Sequence, residues 1–379
     1  MRASVEPQSY VIASADRIQT PALAIYLDFV EHNITTTLQL LGGNPNRWRP
    51  HIKTAKIASV IRGLVERGVP QFKCATTLEL LTACEAGATD VLVAYPCVGA
   101  RATRVREIVL AYPHIQISAL VERVEGIEAF AGSAVGLFID VNAGMDRTGV
   151  SEESIGAITD IAKAIAKRGL RFRGLHYYDG HHRATDLEAR AAEAHRGYDR
   201  LLGIVNHLVD AGIEVEEVIT SGTPSFPAAL EYKPFQSAKF LHRVSPGTVV
   251  YNDFVSLSQL PEQFDYRPAA LVITTVVSRP LDLIVTCDAG HKTVSADSGD
   301  PTCAVLGHPE LTPIHPSEEH LPMQVATGAR LPEIGEQLYL IPRHVCPTVN
   351  NFDHALLIRG QEIVGLSKVD ARGREKPIA

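Results

Sequence analysis

Between residues 21 and 255, short apolar and β-branched runs alternate with segments of helical period at the spacing of βα units. The strand candidates are LAIYLD (23–28), RPHIK (49–53), QFKCAT (71–76), VLVAYP (91–96), ISALVE (117–122), GLFIDVN (136–142), GLHYYDG (174–180) and EEVIT (216–220). Helical segments such as TLELLTACEAG and EESIGAITDIAKAIAKRG end in Gly87 and Gly169, as helix C-caps should. Eight β-then-α units match a (β/α)8 barrel of about 250 residues, with a doubly wound open sheet as the alternative. Beyond residue 255 the texture becomes short alternating runs broken by Gly and Pro, with no helix expected. The reading is therefore an α/β protein: a barrel over 21–255, and a smaller β-rich domain made of 256–379 with 1–20, in which SYVIASA (9–15) reads as a strand.

Composition narrows the function. Of 379 residues 45% are hydrophobic and 21% charged, values ordinary for a folded globular chain. A net charge of −7 without any basic run argues against nucleic acid or an anionic membrane as partner and for a small molecule. The longest apolar stretches, such as AALVITTVV (269–277), fall well short of the roughly 18 residues that a membrane span needs. No secretory signal is read at the N-terminus, so a cytoplasmic location is expected. Six cysteines without regular spacing or a C-x-x-C suit reduced thiols.

Barrel chemistry gathers at the C-terminal ends of the strands, which here carry Lys53, Thr76, Tyr95, Asn142, Tyr178, Asp179 and Ser221. A lysine at the barrel mouth, inside RPHIKTAK, has the profile of a Schiff-base nucleophile, whereas its bland reading is a solvated loop lysine. ITSGTPS (219–225) and SPGTVVYND (245–253) offer Ser221, Gly222, Thr223, Gly247 and Thr248, the small and hydroxyl residues that cradle a phosphate near the last strands of a barrel. In PRHVCPTVNNFDH (342–354), His344 and Cys346 stand two apart in a segment read as extended, on one face. An imidazole and a thiolate together suit a divalent metal, zinc above all, at an open site. Arg147 follows the strand FIDVN, and His181 and His182 lie on the loop after GLHYYDG.

In order along the chain, RPHIKTAK, DVNAGMDRTGV, GLHYYDG, SGTPS, SPGTVVYND, CDAGHKTVSAD, SEEH and HVCPTVNNFD resemble the D-threonine aldolase and D-serine dehydratase family, over residues 20–373. These are pyridoxal-phosphate enzymes of the alanine racemase-like fold type III. The resemblance implies a barrel that holds pyridoxal 5'-phosphate, a β-rich C-terminal domain, and a head-to-tail homodimer. It implies Lys53 as the lysine bonded to the cofactor, Arg147 at the cofactor's phenolic oxygen and Tyr178 at its ring nitrogen. Ser221, Gly222, Thr223, Gly247 and Thr248 become the phosphate cup, and His344 with Cys346 the ligands of one divalent metal, with manganese, cobalt or magnesium as alternatives to zinc.

The activity so implied is a lyase acting on D-3-hydroxy amino acids. Elimination to a keto acid and ammonia, as in D-serine dehydratase, is the leading reading, because Cys346 stands where the aldolases compared carry Asp. Retro-aldol cleavage to an amino acid and an aldehyde is the alternative, with His181 or His182 as its base after a loop shift. An amino-acid racemase and a non-catalytic cofactor-binding protein are remoter alternatives, since neither needs the metal pair.

Overall fold

In the computed structural model, which describes residues 5–182 and 184–377, the chain divides into two compact units. One takes Leu38–Lys53, Ile61–Gly247 and the chain from Arg374; the other takes the chain up to Thr37, Thr54–Val60 and Thr248–Gly373. The first strand, β1 (Ala22–Tyr26), falls in the second of these units.

The first unit is the barrel. Its parallel strands are β2 (Gln71–Cys74), β3 (Asp90–Pro96), β4 (Gln116–Val121), β5 (Gly136–Asn142), which also carries the two-residue β6 (Val150–Ser151), then β7 (Arg171–Tyr177), β8 (Glu217–Thr220) and β9 (Leu241–Val244). Parallel bridges Trp48↔Val244 and His51↔Lys73 lay the 48–51 segment between β9 and β2 and close the ring at eight. Thr76 caps the helix Thr77–Glu85 by accepting from the Glu79 N–H at 3.0 Å, and Gly87 and Gly169 adopt the left-handed backbone that ends their helices.

The strand count was right for a partly wrong reason. LAIYLD does not open the barrel, and the eighth barrel strand is Leu241–Val244, whose LHRV lacks an apolar run. His242 and Arg243 are nevertheless buried. Arg243 donates to Glu217 at 2.6 Å within an ion network that also takes in Arg49, Arg173 and Asp90. Burial works against ionisation of Asp90, but Arg49 and Arg173 hold its carboxyl well below the usual carboxylate range. Charged strand residues can thus be interior when each has a partner.

The second unit is β-rich. With β1, the strands β10 (Ala270–Leu281), β11 (Ile284–Cys287), β12 (Cys303–Val305), β13 (Leu311–Pro313), β14 (Leu321–Val325), β15 (Gln337–Pro342), β16 (His354–Arg359) and β17 (Glu362–Lys368) make a nine-stranded sheet. β1 pairs antiparallel with β10 and parallel with β16. Alternate residues of β10 serve two cores: Val272 packs with Val285, Leu321 and Leu340, whereas Leu271 and Ile273 pack with Tyr10, Tyr26 and Ile358.

SYVIASA is not a strand. Only its ends are helical, in the short 3₁₀ turns Pro7–Tyr10 and Ala15–Arg17, and Tyr10 and Ile12 join the core, Tyr10 packing edge-on against Tyr26 with ring centres 5.0 Å apart. The expectation of no helix after 255 also fails, because Val345–Asn350 is helical. Among the described residues no helix is long and apolar enough to cross a membrane. All six cysteines are buried, and none forms a disulfide among the described residues.

Candidate functional site

Lys53 leaves the barrel two residues after the His51 bridge, in a turn where its N–H donates to His51 Nδ1 at 3.2 Å. Tyr178 follows β7, and the Arg147 guanidinium lies 5.3 Å from its ring centre. A pocket at this end of the barrel is lined by Asp140, Asn142, Arg147, Thr148, His176 and Tyr178.

Around Tyr178 the backbone comes close. A Cβ at Gly222 would stand 2.9 Å from its ring, and one at Gly247 would stand 2.3 Å from the His51 carbonyl oxygen, so both positions exclude side chains. Ser221 is fully buried in a left-handed backbone (φ 61°), a conformation that costs a non-glycine residue energy. Its Oγ and the Thr223 Oγ1 have no hydrogen-bond partner among the described residues. Two buried unsatisfied hydroxyls each cost about 1–3 kcal/mol, and an anion with several acceptor oxygens would relieve both. The cradle therefore fits a phosphate. Thr248 falls in the β-rich unit, where its Oγ1 lies 3.8 Å from Cys346 Sγ.

His181 and His182 stack with ring centres 4.1 Å apart. Burial and the neighbouring His182 lower the pKa of His181. A Cβ on Gly144 would lie 3.5 Å from His181 Nε2, so this imidazole sits over the loop that carries Arg147. His182 Nδ1 is 3.2 Å from Glu193 but has no hydrogen-bond partner among the described residues. Asp179 is spent on structure, accepting from Tyr198 at 2.7 Å and from Ser225. Asn142 is likewise spent, as the acceptor of the Gly144 and Asp146 N–H groups.

His344 and Cys346 are not alternate residues of an extended segment. His344 is the N-cap residue of the Val345–Asn350 helix, and Cys346 lies in its first turn. The helix start still brings the two side chains together: burial works to lower the His344 pKa, but hydrogen bonding to Cys346 and Asp297 raises it to about 9. Thr54 Oγ1 lies 3.0 Å from the buried Cys346 Sγ. Among the described residues no group of three or more His, Cys, Asp or Glu side chains could hold a metal. An imidazole with a thiolate is a donor set suited to one borderline-soft divalent ion with open positions.

A buried chain under the pocket was missed. Lys73 Nζ lies 3.1 Å from His176 Nε2, and His176 Nδ1 lies 2.7 Å from Asp140 Oδ1. Burial, reinforced by the Lys53 ammonium and opposed by Asp140, brings Lys73 down to about 7. The signal was a lysine within a strand, QFKC, read only for its apolar neighbours. Between pH 7 and the ordinary lysine value of 10.5 the unfolded chain binds a proton that native Lys73 has lost, so stability should rise with pH across that window. Denaturant titrations of cofactor-free protein at several pH values should show this rise, and Lys73→Met should remove it; an unchanged slope in the variant would count against the buried amine.

Residues 25–253 match the family described as alanine racemase, N-terminal domain, and residues 269–358 match a domain described for serine dehydratases. The chain is 26% identical to a D-threonine aldolase of Arthrobacter sp. over 374 residues, covering 94% of this chain and 93% of the relative. It is 25% identical to a D-threo-3-hydroxyaspartate dehydratase of Delftia sp. over 363 residues, covering 88% and 93%. The crystal structure of a D-threonine aldolase from Filomicrobium marinum superposes with a TM-score of 0.86 at 27% identity, covering 95% of this chain and 97% of that one. With a barrel of eight parallel strands, a lysine at its mouth and a family match across more than half its length, the chain belongs to the alanine racemase-like, fold-type III family of pyridoxal-phosphate enzymes.

Proposed function

We propose that this protein is a pyridoxal-phosphate- and divalent-metal-dependent lyase that eliminates water from a D-3-hydroxy amino acid. The observation that carries the choice of reaction is the pairing of His344 with the Cys346 thiol, which favours zinc over harder ions. A divalent ion held by this pair would supply Lewis acidity to a hydroxyl that must depart as hydroxide. The cofactor supplies an electron sink at Cα and the metal supplies Lewis acidity at the hydroxyl.

Everything else is the work of the chain's own groups. Ser221 and Thr223 donate their unused hydroxyls to the phosphate, while Gly222 and Gly247 let the backbone approach it. Arg147 donates to the phenolic oxygen. Tyr178 would offer a phenol O–H to the ring nitrogen, where a carboxylate would stabilise the protonated ring and a neutral phenol does not. Lys53 Nζ would hold the cofactor and is the group that would take the Cα proton. His344 and Cys346 would hold the metal, and with the Cα proton and the β-hydroxyl both lost the substrate ends as keto acid and ammonia after hydrolysis.

Retro-aldol cleavage is the second reading, favoured by the His181 imidazole over the Arg147 loop, a group whose pKa burial lowers and which could take the hydroxyl proton. The likeness to D-threonine aldolases supports it too. D-serine and D-threonine, assayed separately, decide between them. Keto acid and ammonia are expected. Glycine with formaldehyde from D-serine, and glycine with acetaldehyde from D-threonine, would replace dehydration by aldol cleavage. The family resemblance also supports a homodimer.

A further inference from the structure

Asp297 lies 47 residues before His344 in the chain, yet its Oδ2 is 2.7 Å from His344 Nδ1. Ser298 Oγ, the other partner of that nitrogen, is farther at 3.3 Å. A carboxylate facing Nδ1 favours a proton there, so Nε2 is the nitrogen that gives up its proton and offers a lone pair when a metal binds.

The contact is anchored from both sides. Ser295 Oγ donates to Asp297 Oδ1 at 2.9 Å, so the carboxylate's two oxygens have separate partners. The loop is tied to the helix that follows His344 by the Ser295 N–H, which donates to Thr348 Oγ1 at 3.2 Å, and Thr348 Oγ1 in turn donates to the His344 carbonyl at 2.9 Å. On the other flank, Arg343 Nε donates to the Ser298 carbonyl at 2.8 Å and the Arg343 N–H to the Thr302 carbonyl at 2.7 Å. A pair whose side chains are 35% and 45% exposed gains little from charge alone. Such bracing sets the ring's angle.

We propose that Asp297 is the positioning residue of the metal centre: it fixes the tautomer and orientation of His344 so that Nε2 is presented as a metal ligand. The proposal rests on the metal reading above and adds to it a residue outside the His344–Cys346 pair. Partners of this kind typically account for 10–100-fold in metal affinity.

The test is an equilibrium competition for zinc against a chromophoric chelator, on cofactor-loaded protein, comparing wild type with Asp297→Ala, Asp297→Asn and Cys346→Ala, and with thermal unfolding recorded for each. Wild type should bind one zinc per chain and Cys346→Ala should not. Asp297→Ala should bind about 10–100-fold more weakly with an unchanged unfolding midpoint. Asp297→Asn, whose side-chain carbonyl still accepts from Nδ1–H, should recover most of the loss. Wild-type zinc affinity in Asp297→Ala would overturn the proposal and leave the metal reading standing. A wild type that binds no zinc in the Cys346-dependent manner would overturn both.

Discussion

Replacing Lys53 by alanine is expected to abolish borohydride-trapped attachment of the cofactor and to lower turnover by at least about 10³-fold. The second figure is the size of effect expected when a group that moves a proton in the transition state is lost. The assignment has a structural basis independent of resemblance. Lys53 is set two residues beyond the His51–Lys73 bridge, where the first barrel segment ends at the mouth. The other lysines nearby are engaged: Lys56 Nζ donates to the Ala371 carbonyl at 3.0 Å, and Lys73 is buried against His176. Peptide mapping after reduction should find the label on Lys53. A label on Lys73 or Lys56 would refute the assignment.

Removing the metal is expected to eliminate activity while leaving the fold in place. A site with two protein ligands closes no structural loop, unlike a four-ligand zinc site whose binding energy is folding energy. Here the segment is held without metal: the Val345 N–H donates to the buried Asp253 carboxylate at 3.1 Å, and Thr54 lies beside Cys346 Sγ. A chelator should therefore cut turnover to background with a midpoint of thermal unfolding shifted by no more than a few degrees, and zinc should restore activity. Full turnover in a verified metal-free sample would remove the metal from the mechanism. A large drop in stability would instead make the site structural.

The sequence was legible where a single residue type answers a local demand. Gly87 and Gly169 end helices because only a residue tolerant of positive φ closes those turns cheaply, and both are read directly. Lys53 stands out because it ends the RPHIK segment at the barrel mouth, within a motif that resembles the family's. His344 and Cys346 were found by their chemistry, although the geometry assumed for them was wrong: a helix N-terminus, not strand alternation, brings them together. Their short separation kept the pair within reach in either backbone.

What the sequence by itself determined was the βα alternation, the β-rich remainder and the identity of the groups able to do chemistry. Only the tertiary structure decided which sheet an apolar run joins, placing Ala22–Tyr26 beside Ala270–Leu281 and His354–Arg359 and bringing LHRV into the barrel. It alone paired Lys73 with His176, 103 residues away, and Asp297 with His344. The reason is physical. Hydrophobic period reports that a residue is buried, whereas the partner that makes burial of a charge tolerable is chosen by the fold, from segments far off in sequence.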